Sequence, residues 1–544
     1  MQSKGFESMR SALQPIRETA SASEAAEPKV NDQQLNDQQK PGDKPAPAVG
    51  RALRPSSTRA ARSERGGDVP ADLPDLDTIS GVDAGRVGDH LGVFHLLQAA
   101  FRGPSRESFF ASLEDPFYEP CNRFVIRRGT RVLSQVQRVD RVLRFGSVCC
   151  PVSYLWALAT LPEFRDRGFG RRVLESAEQS VSATGVPLAF LTTKIPGYFS
   201  RDGWVSCARQ ELPRANTRRL LAQLSAGGVA HGNVSQGGGD LQIRPWRQVE
   251  LAGLMQIYVR HTAASDGALE RSEGYWRWLI GRQGFDHLYI ALESPRPVQE
   301  SEVTDPGNFF DSPETEPSEP SEFPETLPID TSAPIVGYVV TKDDRVLELV
   351  ADPGRPDVAR RLLARACQDA IERDFHGIQL HATTGGTLGA LFEAVTSADA
   401  PTRRPTAPHA GQREPAPEAP RGEVQMAKIT DLARLLTLLA TSWHERALAQ
   451  GLDLPCELGL WIDNEKHQLM FARRGVKVVH QKLGRSYLQL SRADFTRLVL
   501  GHLDLADSIA RGTARVSTRL AADAARTIFP RVRLWRSIWD DLYL

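Results

Sequence analysis

The sequence predicts a mixed α/β protein of several domains, and three observations support this. The chain has 544 residues, and at roughly 100–200 residues per domain this length corresponds to about three or four domains. Strand-like alternation and helix-like periodicity follow one another along the chain. Low-complexity stretches divide the sequence, so we expect structured blocks at 78–235, 241–396 and 423–544.

The low-complexity stretches have three different roles. Residues 1–77 are rich in Ala, Pro, Gln, Ser and charge, and we expect a disordered tail because this composition cannot offset the lost chain entropy. Residues 293–334 are acidic and rich in proline. They separate two strand-like runs, 288–293 and 335–341, so we expect an insertion that expands the loop of a hairpin. Residues 400–422 are expected to be a linker.

Composition excludes several classes of protein. Lys and Arg together number 67, as do Asp and Glu, so a protein that acts mainly on nucleic acid or on anionic lipid is disfavoured. No CxxC pair occurs, so we expect no zinc site or other metal centre and no disulfide framework. The sequence has no apolar run of about 18 residues and its start lacks an apolar signal core, so we expect a cytoplasmic protein without a membrane partner.

The first block begins with an amphipathic helix at 89–101, whose apolar face is predicted to carry Leu91, Phe94, Leu97 and Phe101. Polar and apolar residues then alternate through 123–129 and 131–139, which predicts two strands. The run VSYLWALATL at 152–161 is a buried-strand candidate, and a helix pattern follows at once.

The junction between that strand and that helix, Arg165-Asp166-Arg167-Gly168-Phe169-Gly170, predicts an anion site. Two glycines allow backbone N–H groups to turn towards an anion, and a helix N-terminus adds free donors and a partial positive charge. Four arginines surround these glycines: Arg165, Arg167, Arg171 and Arg172. The chemistry suits a phosphate or a pyrophosphate.

Three phosphate motifs, and a helix cap without a ligand, are alternatives for this junction. No lysine follows in the way a P-loop requires, and Val173 replaces the third glycine of a dinucleotide fingerprint. The remaining pattern, RxxGxG, resembles the acetyl-coenzyme A loop of the GCN5-related N-acetyltransferases (GNAT). The strand at 187–193 and the segment YFSRDGW at 198–204 follow in the order typical of that family, so the resemblance covers about 78–210.

The resemblance implies an acetyl-CoA-dependent N-acetyltransferase that transfers acetyl to a primary amine of a small molecule or a lysine by direct attack. It implies that the backbone of Leu158 and Thr160 binds the pantetheine arm. The complete set of implied coenzyme contacts is Leu158, Ala159, Thr160, Arg165, Asp166, Arg167, Gly168, Phe169, Gly170, Arg171 and Thr193.

The sequence departs from the family at the general acid. That acid is usually a tyrosine four positions before the glycine, which here is Phe199, and the tyrosine stands one step earlier at Tyr198. Either the turn is offset and Tyr198 protonates the leaving thiolate, or a water does so. Tyr198 as a half-buried packing residue is the third alternative.

The second block repeats the layout weakly. The strand at 345–352 leads to a helix through Pro353-Gly354-Arg355-Pro356-Asp357, which has one glycine and a proline that removes a donor. We therefore expect a degenerate second GNAT fold without coenzyme.

The third block, with a helix at 430–443, alternating strands and two closing helices, resembles a sterol-carrier-type α/β domain. Two tandem GNAT folds followed by such a domain resemble the enhanced-intracellular-survival (Eis) acetyltransferases. That resemblance implies a possible homo-oligomer and a terminal carboxylate, here on Leu544, that handles protons in the first site. Trp535, Trp539 and Tyr543 predict an anchored tail. A non-catalytic acetyl-CoA-binding or regulatory protein, and a lipid-binding carrier, are the alternative functions.

Overall fold

The computed structural model describes residues 79–209, 213–226, 241–293, 334–380, 423–531 and 534–541. The predicted tail at 1–77, the linker at 400–422 and Leu544 lie outside these residues.

Strands and helices alternate as the sequence indicates. The strands are β1 (Asp83–Ala84), β2 (Arg123–Arg128), β3 (Arg131–Phe145), β4 (Val148–Thr160), β5 (Leu188–Thr193), β6 (Val205–Arg209), β7 (Arg214–Asn216), β8 (Leu241–Pro245), β9 (Asp266–Leu269), β10 (His287–Glu293), β11 (Ile335–Lys342), β12 (Arg345–Ala351), β13 (Gly377–Leu380), β14 (Val424–Ile429), β15 (Cys456–Ile462), β16 (Glu465–Ala472), β17 (Gly475–His480), β18 (Tyr487–Leu490) and β19 (Arg515–Val516). The helices are α1 (His90–Phe101), α2 (Arg106–Leu113), α3 (Phe169–Ala183), α4 (Pro196–Ser200), α5 (Thr217–Ala226), α6 (Leu251–Thr262), α7 (Glu273–Gly281), α8 (Pro356–Glu372), α9 (Leu432–Ala449), α10 (Arg492–Val499), α11 (Leu505–Ala510) and α12 (Arg519–Ile528).

The first sheet has the order β1-β2-β3-β4-β5-β14-β6, with β9 paired to β3. Helices α1 and α3 cover one face, where Leu97 and Leu174 join a core with Leu155 of β4. Helix α9 covers the other face, where Leu435 belongs to the same core as Val152. The sheet is therefore buried on both faces, which explains the long apolar run in β4.

The apolar face predicted for α1 is partly wrong. The helix buries Val93, Leu96 and Leu97, whereas Leu91 and Phe101 are exposed. Helical periodicity allows either face, and the choice depends on the position of β3 and β4, which pack against the helix.

Sheet membership crosses the boundaries between the predicted blocks. Strand β14, from the third block, lies between β5 and β6, and it pairs Met426 with Leu191. Lys428 of β14 donates to Glu178 of α3 at 2.6 Å. Strand β7, from the first block, pairs with β13 in the second sheet through Ala215 and Ile378.

The second sheet has the order β7-β13-β12-β11-β10-β8, and the third has the order β17-β16-β15-β18-β19. Strands β10 and β11 form an antiparallel hairpin, which confirms the pairing predicted on either side of the acidic insertion. Residues 294–333 of that insertion lie outside the described part of the chain.

The three sheets with their helices confirm the mixed α/β class. None of the helices within the described ranges has the length and apolar character needed to cross a bilayer.

Strand β14 gives a testable prediction. Met426 is fully buried in the first sheet, whereas Met470 of β16 is 42% exposed. We expect Met426→Ala to lower the free energy of unfolding by about 2–5 kcal/mol, because it leaves a cavity in a packed core. Urea unfolding followed by circular dichroism measures this, with Met470→Ala as the matched control. Equal losses in the two variants would contradict the place of β14 in the core.

Candidate active site

The site begins where β4 and β5 separate. Their parallel pairing runs from Val152 and Leu188 to Leu155 and Leu191, and no later pair joins these strands within the described residues. Ala157 adopts a left-handed φ of 53°, and the register of β4 with β3 shifts at this point. Such a bulge bends a strand. The last residues of β4, up to Thr160, therefore face an opening on the side of β5.

Side chains of β3 hold the bulged strand in place. Gln135 donates to the carbonyl of Ala157, and Ser134 donates to the carbonyl of Ala159 at 3.1 Å. The hydroxyls of Ser134 and Thr160 lie 2.9 Å apart. Because β3 binds one side of β4, the backbone groups on the other side remain directed at the opening.

The predicted anion loop lies at the end of this opening. Strand β4 ends at Thr160, and α3 begins at Phe169 with Gly168 as its N-cap, at a φ of 79°. The first N–H groups of a helix have no partner within it, so those of α3 are available to a ligand. A Cβ on Gly170 would lie 3.3 Å from Thr160 Oγ1 and 3.4 Å from Tyr198 Oη. The loop, β4 and α4 therefore approach one another closely at Gly170.

The arginines predicted around the loop are at the surface beside it. Arg165 donates to the carbonyl of Thr160 at 3.4 Å, and the guanidinium of Arg167 lies 5.2 Å from the ring centre of Phe164. Arg171 pairs with Glu175 at 2.8 Å and with Asp202 at 3.2 Å. Phe169 is buried, so only its backbone is directed at the loop.

Helix α4 places the adjacent side chains of Tyr198 and Phe199 in different environments. Tyr198 is 39% exposed, whereas Phe199 is 6% exposed and belongs to the core of the first sheet. Partial burial, and then the nearby Asp202 carboxylate, raise the pKa of Tyr198. The phenol is therefore protonated at neutral pH. Thr193, at the end of β5, accepts from the N–H of Ile195 at 3.1 Å and fixes the entry to α4.

A pocket that sequence reasoning missed lies on the other side of β4. It lies between the first sheet and residues 534–541 and is partly open to solvent. Its walls include Trp156, which directly precedes the bulge, and Tyr154, which stacks on Phe190 at 5.3 Å. The complete lining is Arg141, Leu143, Tyr154, Trp156, Gly267, Leu269, Trp535, Arg536, Ser537, Asp540 and Asp541. Only the aromatic residues near the end of the sequence gave a signal for it.

Charged groups in this pocket are paired. Arg141 pairs with the buried Asp115, and Arg536 pairs with Asp541. Burial raises the pKa of Asp541 and raises the pKa of Tyr154 to about 12. The pocket therefore combines aromatic faces with carboxylates whose charge is compensated.

Comparison with known proteins concerns mainly the part of the first sheet that the first block supplies. Residues 83–206 match the family model described as an acetyltransferase (GNAT) domain, which confirms the resemblance predicted from the RxxGxG loop. An uncharacterized N-acetyltransferase of Chlorobaculum tepidum is 33% identical over 73 residues, which are 12% of this chain and 47% of that protein. The chain thus spans about half the length of the curated relative that it matches.

Solved structures extend the similarity of fold to most of the chain. A GCN5-related N-acetyltransferase from Anabaena variabilis is 14% identical, with a TM-score of 0.55, over 84% of this chain and 99% of that chain. Eis1 from Mycobacterium abscessus is 12% identical, with a TM-score of 0.50, over 84% of this chain and 99% of that chain. At these identities the similarity concerns the fold alone.

A pair of matched glycines tests which helix N-terminus binds the coenzyme. Gly168 and Gly354 both have a left-handed φ, and a Cβ on either would meet open space. We expect Gly168→Glu to weaken acetyl-CoA binding about 10²-fold, because charges about 5 Å apart repel by roughly 3 kcal/mol at an effective dielectric of about 20. Gly354→Glu carries the same backbone strain and should leave the affinity unchanged. Calorimetric titration measures both, and equal losses would contradict this assignment.

Proposed function

We propose that this chain, whose residues 83–206 form a GNAT acetyltransferase domain, is an acetyl-CoA-dependent N-acetyltransferase with one active site on the first sheet. The acceptor is a primary amine of a small molecule or of a lysine. The observation that carries the proposal is the separation of β4 from β5 after Leu155 and Leu191, directly beside the glycine loop.

The residues around the opening fit acetyl-CoA. The free side of β4 between Trp156 and Thr160 offers peptide groups to a pantetheine arm, which would lie as an additional strand. The N-terminus of α3 and its arginines offer donors and positive charge to a pyrophosphate. Gly170 supports this fit, because it brings the start of α3 close to Thr160 and Tyr198, where a side chain would be crowded.

The chain's own groups take part in the chemistry. Bound acetyl-CoA supplies a thioester whose thiolate leaves when an amine attacks the acetyl carbon. The backbone at Leu158 polarises the acetyl carbonyl, and Tyr198 donates a proton to the leaving sulfur. The attacking amine releases a proton to water as the amide forms, and water reprotonates Tyr198. Tyr198 suits this role because its hydroxyl lies beside Gly170 and its raised pKa keeps it protonated.

The pocket beside Trp156 is proposed to bind the acceptor. It shares β4 with the coenzyme opening, so an amine within it would lie next to the bulge at Ala157. The aromatic faces of Tyr154 and Trp535 suit apolar or cationic groups. Asp540 and Asp541 line the pocket and are paired with Arg271 and Arg536, so the aromatic faces are the groups left to recognise the acceptor. The role of the Leu544 carboxylate stays a prediction, since that residue lies outside the described part of the chain.

We infer that the second sheet is a degenerate GNAT fold and that the third resembles a sterol-carrier domain. At the start of α8, Arg355 pairs with Asp357 and with Glu293, where a coenzyme-binding loop would have free donors. The core beside the third sheet includes Leu460 of β15 and Trp443 of α9. The ring centre of Trp443 lies 5.1 Å from that of Phe529, in an edge-on contact. This packing favours an ordinary core over a lipid cavity. The homo-oligomer stays a prediction.

Thiol release from acetyl-CoA tests the proposal, measured over a panel of polyamines, aminoglycosides and lysine peptides. We expect release that depends on one class of amine, and release with Gly168→Glu that requires about 10²-fold more acetyl-CoA. Binding of acetyl-CoA without turnover on any amine would instead favour the non-catalytic binding protein. Lipid that copurifies with the full chain would favour the carrier.

The proton donor gives a separate prediction. Tyr198→Phe should lower kcat at least ~10²-fold, the usual contribution of an oriented acid, with acetyl-CoA affinity unchanged. In the wild type, the loss of kcat at high pH should follow the raised pKa of Tyr198, since the acid must be protonated, whereas any loss at low pH follows protonation of the acceptor amine. Phe199→Tyr is the control and should not raise kcat, because position 199 is buried in the core. A silent Tyr198→Phe would assign the proton to water.

A further inference from the structure

Residues 534–541 form one wall of the acceptor pocket, and the structure shows what holds them. The N–H of Trp535 donates to the carbonyl of Asp266 in β9 at 2.7 Å. Trp539 is fully buried, and its ring lies edge-on to Trp276 of α7 at 5.7 Å. Arg282 donates to the carbonyls of Trp539 and Asp541. All three of these partners, Asp266, Trp276 and Arg282, come from the second block.

Arg271 is the charged centre of this attachment. Its side chain is fully enclosed, at 0% exposure, and donates to both oxygens of Glu348 in β12 at 2.9 and 2.5 Å. The same guanidinium donates to both oxygens of Asp540 at 3.0 and 2.9 Å. It also lies 4.3 Å from the ring centre of Tyr258. One cation thus joins the second sheet to the 534–541 segment.

Neighbouring hydroxyls complete the same network. Tyr338 donates to Glu348, and Tyr275 donates to Asp540 at 3.3 Å. The network lies next to the pocket, because Leu269, which lines the pocket, stands two residues before Arg271 in the chain. Leu269 is paired with Leu143 of the first sheet.

A buried ion network of this kind adds little stability compared with apolar residues of the same volume, because its desolvation cost offsets the attraction. It does fix one geometry, since two carboxylates must both meet the planar fork of a single arginine. We therefore explain this ion network by the position that it gives to the 534–541 segment at the edge of the pocket, and not by a gain in stability.

We propose that Arg271 is a positioning residue that holds the 534–541 segment, through Asp540, as a wall of the acceptor pocket. The second sheet then serves the first site by anchoring this wall, without binding coenzyme itself. The inference rests on the proposed function in so far as the pocket receives the acceptor amine.

Two conservative variants of the full chain test this: Asp540→Asn, which keeps the shape, and Arg271→Lys, which keeps the charge but loses the fork. We expect hydrogen exchange of backbone amides in 534–541 to quicken at least about 10-fold in both, while β4 and α3 stay protected. We also expect KM for the acceptor to rise at least about 10-fold, with the acetyl-CoA Kd unchanged.

Arg260→Lys is the matched control, because Arg260 pairs with Asp352 at the surface of the same block, at 2.7 Å. It should change neither readout. Unchanged exchange at 534–541 in Asp540→Asn overturns the proposal, as does quickened exchange without any change in acceptor KM. A wild-type chain that transfers acetyl to no amine refutes the proposed function instead, and the exchange measurement then still decides whether Arg271 holds the segment.

Discussion

Strand β4 pairs with β5 as far as Leu155 and Leu191, and the left-handed backbone at Ala157 then carries it away. A strand that leaves its neighbour exposes peptide groups that need other hydrogen-bond partners. Here β3 holds the opposite side of β4 through Gln135 and Ser134. The opening, the glycine loop at its end and the pocket behind Trp156 all depend on this separation.

The site is assembled from parts of the chain that lie far apart in sequence. Strand β14 completes the first sheet beside β5, and Lys428 ties it to α3, the helix that begins at the glycine loop. The 534–541 segment closes the pocket and is held by Arg271 and Arg282. These connections give the second and third blocks a part in the first site, whose glycine loop lies in the first block.

Local chemistry could be predicted from the sequence, and long-range placement could not. The RxxGxG loop was recognisable because the strand, the two glycines and the helix are consecutive. Tyr198 was identifiable as a candidate, but its separation from Phe199 required the turn of α4 to be known. Nothing in the sequence of β14 indicates that Met426 pairs with Leu191, since an apolar strand fits any buried sheet. The burial of Trp539 was predicted, whereas its partner Trp276 was not.

The same limit explains the pocket and the apolar face of α1. Periodicity places Leu91 and Leu97 on one helix, but only the packed β3 and β4 decide which of them is buried. The pocket's lining comes from β3, β4, β9 and the 534–541 segment, so no stretch of sequence contains it.

A crystal structure of the chain with coenzyme A tests the central claim most directly. The account predicts pantetheine between β4 and β5, alongside Trp156 to Thr160, with the pyrophosphate at Gly168. Coenzyme bound at the start of α8 or away from both sheets would contradict it.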